Sequence, residues 1–277
     1  MNNQITVLMD NTAGKKGLLG EHGLSFLIEV KGARVLFDTG PGEVLCHNAS
    51  KLGIDLNDLD AVILSHGHYD HTGGIKDVLH PGPKRKVMVH PGAFGPKFSQ
   101  NPDGSTRDVG MPNLTRQRLH DWAQIFNVTA PVEVVRNLHL TGPIPRVTAE
   151  DTGGAFFTDS NCTYPDQLTD DQAGFINTAQ GVVVILGCAH AGVINTLRYV
   201  RKLTNGAGIH TVIGGMHLVN ASDERLDQTV AELRSENVQR LLPCHCTGFL
   251  PSARLATEFA TSFVPVKVGT VIDIPGI

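Results

Sequence analysis

The sequence predicts one layered α/β domain, on three observations. Short apolar or β-branched runs recur along the chain, the early ones arranged as hairpins, and the later ones alternate with helical patterns. Gln4–Met9, Leu24–Val30 and Arg34–Phe37 read as strands, the last two joined by a turn at Lys31-Gly32-Ala33. Residues 43–52 read as a helix and Ala61–Ser65 as a buried strand. A helix opens at Thr72-Gly73-Gly74 and runs to about Leu79, and 86–90 is another strand. From residue 174 the pattern is regular. Phe175–Thr178 and Gly181–Leu186 form a hairpin, followed by a helix at Val193–Leu203, a strand at Thr211–Ile213 and a helix at 222–235 that opens with a Ser/Asp start signal. Arg240–Pro243 is a strand, 253–261 a helix and 264–274 a closing strand pair.

Residues 91–165 break this regularity. They are rich in Pro, Gly and Asn, with a helix-like piece near 114–125 and a strand near 131–136. Because strands resume afterwards, the stretch reads as an insertion or lid within a single domain spanning 1–277.

Bulk properties exclude several classes. The chain has 277 residues, 41% hydrophobic and 18% charged, as in an ordinary globular protein. A net charge of −4 gives no electrostatic reason to expect nucleic acid. No apolar run approaches membrane-spanning length, and the N-terminus lacks a basic and then apolar leader. Five cysteines without framework spacing fit a reducing compartment, so a cytoplasmic location is the expectation.

The strongest local signal is Ser65-His66-Gly67-His68-Tyr69-Asp70-His71. An apolar strand ends and four potential ligands arrive within six residues. Imidazole and carboxylate together suit zinc and other first-row divalent ions. Alternation within a turn can aim His66 and His68 at one ion, and Asp70 and His71 at a neighbouring one. Glycines at 67, 73 and 74 permit the tight fold this needs.

This string resembles the signature of the metallo-β-lactamase superfamily. The closer resemblance is to the subgroup of 7,8-dihydropterin-6-yl-methyl-4-(β-D-ribofuranosyl)aminobenzene-5′-phosphate synthase-like proteins. It rests also on Gly20–Ser25, Leu36–Gly40, Thr141–Arg146, Asp170–Ala173, Leu186–His190, Ile213–Leu218 and His245–Gly248, in order along nearly the whole chain. The resemblance implies a four-layer αββα sandwich with metal at one edge of the sheets. It also implies later ligands at strand ends, where His190 follows Val182–Gly187 and His245 follows Leu241-Leu242-Pro243. His66, His68 and His190 are thus assigned to a first ion, and Asp70, His71 and His245 to a second. A core or capping role is the alternative for each later histidine. Zinc is the first expectation, with manganese or iron as alternatives.

One departure stands out. Many superfamily members carry a bridging aspartate where this chain has Cys188, which is either a thiolate ligand or a small buried residue. His217, at a strand end where ribonuclease Z-like members place a proton donor, is a candidate general acid. A supporting hydrogen bond or an extra ligand are its alternatives. Asp38 reads as a buried group orienting the motif loop. Glu21 and His22 are candidate substrate contacts on a loop, against a plain exposed turn. Arg146 is a candidate anchor for a phosphate or carboxylate, against a structural salt bridge. Phe94, Phe98, Trp122, Phe126, Phe156 and Phe157 either face a flat substrate ring or form a satellite core. Cys244-His245-Cys246 lacks a second Cys/His pair at finger spacing and is not read as a zinc knuckle.

The reading that follows is a metallohydrolase acting on a small-molecule phosphoester or phosphodiester, or else an ester, lactone or thioester. Asp70 and His217 are the catalytic candidates. A synthase condensing a dihydropterin pyrophosphate with a ribofuranosylaminobenzene phosphate is the alternative that the resemblance implies. A non-catalytic ligand-binding protein and a di-iron oxygen or nitric-oxide reductase are further alternatives, the last usually working with a flavin domain that this chain lacks. Oligomeric state is not readable from the sequence.

Overall fold

The computed structural model describes residues 3–42, 44–79, 83–112, 116–150 and 155–277. In chain order the elements begin with β1 (Gln4–Met9), β2 (Ser25–Val30), β3 (Ala33–Phe37), α1 (Leu45–Lys51), β4 (Ala61–Ile63), α2 (Tyr69–Thr72), α3 (Ile75–Leu79) and β5 (Arg85–Val89). There follow β6 (Phe98–Gln100), β7 (Thr106–Asp108), α4 (Arg116–Trp122), β8 (Ala123–Asn127), β9 (Val132–Val135), β10 (Leu138–Leu140) and β11 (Phe156–Phe157). The last are β12 (Gly174–Thr178), β13 (Gly181–Leu186), α5 (Val193–Leu203), β14 (Ile209–Gly214), α6 (Asp223–Ser235), β15 (Arg240–Pro243), α7 (Phe249–Glu258) and β16 (Val271–Asp273).

They form a seven-stranded sheet, β16-β1-β2-β3-β4-β5-β8, a six-stranded sheet, β15-β14-β13-β12-β10-β9, and a small sheet, β11-β6-β7. The near-continuous apolar strands have a physical reason: both faces are buried. Along β3, Val35 and Phe37 enter the core between the sheets, while Leu36 points to the outer core with Leu45, Ile75 and Leu119 of α1, α3 and α4. Along β13, Val183 and Ile185 enter the shared core, while Val182, Val184 and Leu186 meet Leu197, Val230 and Leu255 of α5, α6 and α7. The result is the expected αββα sandwich. β3-β4-β5-β8 and β13-β14-β15 are parallel runs, one in each sheet. Loops at the C-terminal ends of such strands are where α/β sheets place their chemistry.

The stretch 91–165 divides. Strands β8, β9 and β10 belong to the two main sheets, and only β6, β7 and β11 form a separate layer. The helix expected to reach residue 125 stops at Trp122, because β8 pairs parallel with β5 from Arg85↔Ala123 to Val89↔Asn127. Leu114, at the expected start of that helix, and Glu43, at the expected start of α1, lie outside the described residues. Helix α7 starts at Phe249 rather than 253, with Pro251 in the first turn, where no N–H is required of it. The expected closing strand pair is the single strand β16, antiparallel to β1. Among the described residues no helix is long and apolar enough to cross a membrane.

Phe37 is fully buried between the sheets, where a Cβ on Gly174 of the opposite sheet would lie 3.3 Å from its ring. Phe37→Ala should therefore cost about 3–5 kcal/mol in denaturant unfolding. A loss below about 1 kcal/mol would contradict this account of the inter-sheet core.

Candidate metal centre

The candidate site gathers at the C-terminal ends of β1, β3, β4, β13, β14 and β15. After β4 the chain turns sharply into the motif. Gly67 sits where a Cβ would lie 2.3 Å from the Ala93 carbonyl oxygen, so a side chain is excluded there. Its N–H donates to Asp170 Oδ2 at 2.8 Å. Helix α2 then carries Asp70 and His71.

Donor atoms of His66, His68 and His190 lie within 4.8 Å of one another, all buried. His66 Nε2 is 3.0 Å from His68 Nδ1. Both ring nitrogens of His190 and Nε2 of His68 are buried with no hydrogen-bond partner among the described residues. Buried polar nitrogens seldom go unpaired, so His190 fits a cation ligated here through one of its ring nitrogens. A second set converges beside it. His245 Nε2 is 3.3 Å from Asp70 Oδ2 and 3.1 Å from His71 Nε2, and His71 Nε2 is 3.8 Å from Asp70 Oδ2. Nitrogen and oxygen donors around a tetrahedral zinc sit roughly 3.3–3.6 Å apart, given bonds of about 2.0–2.2 Å. The structure thus brings all six expected ligand residues together. It adds His22, whose Nε2 is 3.3 Å from Asp70 Oδ2, so this residue stands with the second donor set and not only on a substrate loop.

Supporting bonds orient the rings. Asp38 accepts from His71 Nδ1, Ser65 N and Ser65 Oγ, each at 2.7 Å. His245 Nδ1 donates to Asn11 Oδ1 at 2.9 Å, and its backbone N–H to Asp10 Oδ1 at 2.9 Å. Asp171 Oδ2 accepts from Ala191 N at 2.8 Å, beside His190. Asp10 and Asn11 are not singled out by the sequence, and Asp170 and Asp171 enter it only as part of a matching segment with no role attached. The signal available for the first pair was the one used for Asp38, polar residues directly after an apolar strand.

Burial sets the charge states. It holds His66 and His190 well below the usual imidazole range, and His68 at about 3. Burial would lower His71 too, but the carboxylates of Asp38 and then Asp70 raise it. Burial works to raise Asp70, yet His71 first, then His22 and His245, hold it well below the carboxylate range. Burial pushes the Asp171 carboxyl up to about 7 and the Cys188 thiol upward.

His68, Asp70, His190 and His245 floor an open cleft of about 690 Å³, large enough for a small-molecule ligand. Its walls include Tyr69, Ser99, Arg107, Phe156, His217, Val219 and Phe249. Ser99, Arg107 and Phe156 come from the small sheet, which covers one side. His217 lines the cleft with its ring 4.5 Å from that of His190, its backbone N–H donating to Cys246 Sγ at 3.3 Å. Of the six aromatics weighed from the sequence, Phe156 lines the cleft, 4.9 Å from the His68 ring. Phe94 and Trp122 pack on the outer helical core, and Phe126 is 42% exposed.

Two expected substrate contacts are not brought to the cleft. Arg146 is exposed and donates to the Gln167 carbonyl at 2.7 Å, away from the lining residues, because the backbone offers it a nearer partner. Glu21 also stands off the lining, its carboxylate accepting from Val44 N at 3.3 Å. Among the described residues, Arg107 on β7 is the one Lys or Arg that lines the cleft.

The neutral state of His68 has a measurable sign. Below pH 6.5 the unfolded chain takes up a proton that the folded, metal-free chain refuses down to about pH 3. Stability contributed at neutral pH is thus lost on acidification, by up to about 1.4 kcal/mol per pH unit for the group. His71 and Asp171 act in the opposite sense over part of that range. The difference between two proteins isolates the residue: metal-free His68→Gln should lose less thermal stability between pH 7.5 and 5.5 than the metal-free parent. Equal slopes would contradict a neutral buried His68.

Comparison with known proteins fits this geometry. A family model described as the metallo-β-lactamase superfamily matches residues 19–205. An uncharacterised protein of Methanocaldococcus jannaschii is 32% identical over 271 residues, covering 98% of this chain and all of that one. A 7,8-dihydropterin-6-methyl-4-(β-D-ribofuranosyl)-aminobenzene-5′-phosphate synthase of the same organism is 28% identical over 283 residues, covering 98% of this chain and 96% of that one. The crystal structure of a metal-dependent hydrolase of the β-lactamase superfamily superposes with a TM-score of 0.84 at 31% identity, covering 98% of this chain and 99% of that one. Sandwich, ligand-rich strand ends and full-length relatives together place the chain in the metallo-β-lactamase superfamily.

Proposed function

We propose that this protein is a metal-dependent hydrolase of an anionic small molecule, with a phosphoester or phosphodiester as the first choice. The observation that carries the reading is the convergence of six candidate ligand residues, four of which (His68, Asp70, His190 and His245) line a cleft whose wall holds one basic side chain, Arg107. His66, His68 and His190 would hold one divalent ion, and Asp70, His71 and His245 a second, with His22 beside it. Such ions polarise a phosphoryl or acyl oxygen and bring water's pKa toward neutrality. Zinc is the first candidate, since imidazole and carboxylate suit it.

The chain's own groups supply the rest. Arg107 would pair with the anionic group, taking the part first considered for Arg146, because guanidinium matches phosphate or carboxylate with two hydrogen bonds. His217, beside His190 at the cleft wall, would deliver a proton to the leaving oxygen. Phe156, Val219 and Phe249 offer apolar surface to the remainder of the substrate.

The second reading is a pterin-type synthase, favoured by the full-length similarity to the M. jannaschii synthase. There the cleft would hold a dihydropterin pyrophosphate and a ribofuranosylaminobenzene phosphate, and pyrophosphate would leave.

Zinc-loaded protein on a panel of phosphomonoesters, phosphodiesters, lactones and thioesters separates the two readings, with a parallel assay for pyrophosphate release from the synthase substrates. We expect turnover of a phosphoester, abolished by a chelator. Arg107→Ala should raise KM at least about tenfold for that substrate, the cost of one charge-assisted contact of roughly 1.5–3 kcal/mol. His217→Ala should lower kcat about 10²–10⁴-fold with metal content unchanged. Pyrophosphate release without hydrolysis of any panel member would replace the hydrolase reading by the synthase.

A further inference from the structure

We propose that Cys188 supplies a thiolate ligand shared between the two ion positions, standing where many superfamily members carry a bridging aspartate. The inference rests on the metal centre of the hydrolase reading, but not on its substrate. It begins from the position of one sulfur. Cys188 Sγ is 3.0 Å from His71 Nε2, in the second donor set. It lies within 4.8 Å of a His66 nitrogen and, in a separate grouping, of a His190 nitrogen, both in the first set. A further grouping places it within 4.8 Å of a His245 nitrogen, again in the second set. One sulfur thus lies within 4.8 Å of donors of both sets.

Burial alone would not make a cysteine a ligand. The independent observation is His190, whose two ring nitrogens are buried and unpartnered among the described residues. A cation near the sulfur gives one of them the partner that the protein does not supply.

The neighbouring sulfur is differently placed. Cys246 Sγ accepts from His217 N at 3.3 Å, lies 3.8 Å from the Cys188 carbonyl oxygen, and among the described residues shares a donor group only with Cys188 and His245. It packs against Gly215, where a Cβ would lie 2.5 Å from it, and so supports the strand end. Cys244 lies in the core between the sheets.

Ligation would convert Cys188 from thiol to thiolate, its proton leaving to solvent as the cation binds. The consequence is metal choice. A thiolate between two imidazole-rich positions favours zinc, cobalt or iron over magnesium, manganese or calcium, which prefer oxygen donors. An aspartate at the same place would not discriminate in that way.

X-ray absorption at the zinc edge on the full-length, zinc-loaded protein tests this without reference to activity. The expected result is a sulfur scatterer at about 2.3 Å in the parent protein and in Cys246→Ser, lost in Cys188→Ser. Zinc content in Cys188→Ser should fall to roughly half or less of the parent's, and Cys188→Asp should restore it without the sulfur signal. If Cys188→Ser does not fold, the parent and Cys246→Ser spectra still decide, because Cys188 is then the sulfur left at the centre. Zinc bound through nitrogen and oxygen alone in the parent protein overturns the thiolate and leaves the hydrolase reading standing. A sulfur signal lost in Cys246→Ser but kept in Cys188→Ser moves the ligand to Cys246 and overturns it equally. Failure to bind zinc at all overturns both readings.

Discussion

The carboxylate of Asp38 is the constraint on which the site depends. It is fully buried at the end of β3, in a left-handed backbone conformation (φ 60°) that few non-glycine residues adopt. A buried carboxyl group needs hydrogen-bond donors in place of the water it has lost. It has three, from Ser65 N, Ser65 Oγ and His71 Nδ1, so one group fixes the start of the motif loop and the ring of its last histidine. With Nδ1 donating to Asp38, His71 Nε2 keeps its lone pair for the centre. The opposite sheet closes on this arrangement at Gly187, where a Cβ would lie 2.2 Å from Ser65 Oγ. The absence of a side chain at 187 lets the two sheets, one followed by His66, His68, Asp70 and His71 and the other by His190 and His245, approach closely here.

A second polar network ties the small sheet to the motif. Lys97 is buried and pairs with Asp166 and Asp170 at 3.0 Å each, while Asp170 also accepts from Gly67 N. Gln172 donates through its side chain to the Leu64 carbonyl and through its backbone to the Ser65 carbonyl. The covering layer and the ligand loop are therefore one hydrogen-bonded unit. Removing one partner of a buried pair of this kind typically costs more than the pair contributes, since a charge is left stranded.

What could be read from the sequence followed from locality. The candidate ligands His66, His68, Asp70 and His71 fall within six residues, and strands buried on both faces announce themselves as apolar runs. His190 and His245 were legible because each directly follows such a run. The misplaced groups depend on partners far along the chain. His22 meets Asp70 across 48 positions and Asn11 meets His245 across 234, and no periodicity encodes either contact. Arg146 and Arg107 are indistinguishable by local pattern, and only the pairing of β6 with β7 and β11 puts the second at the cleft. Strand β8 was hidden for a similar reason. It is a sheet edge whose register is supplied by β5, and its own burial pattern is weak.

The central claim is that two cation positions exist where these donors converge. Anomalous scattering from a crystal of zinc-soaked protein, collected on both sides of the zinc edge, tests it most directly. The account predicts two peaks, one bounded by His66, His68 and His190 and the other by Asp70, His71 and His245. A crystal with no peak at this floor, or with zinc held only elsewhere on the surface, would contradict it.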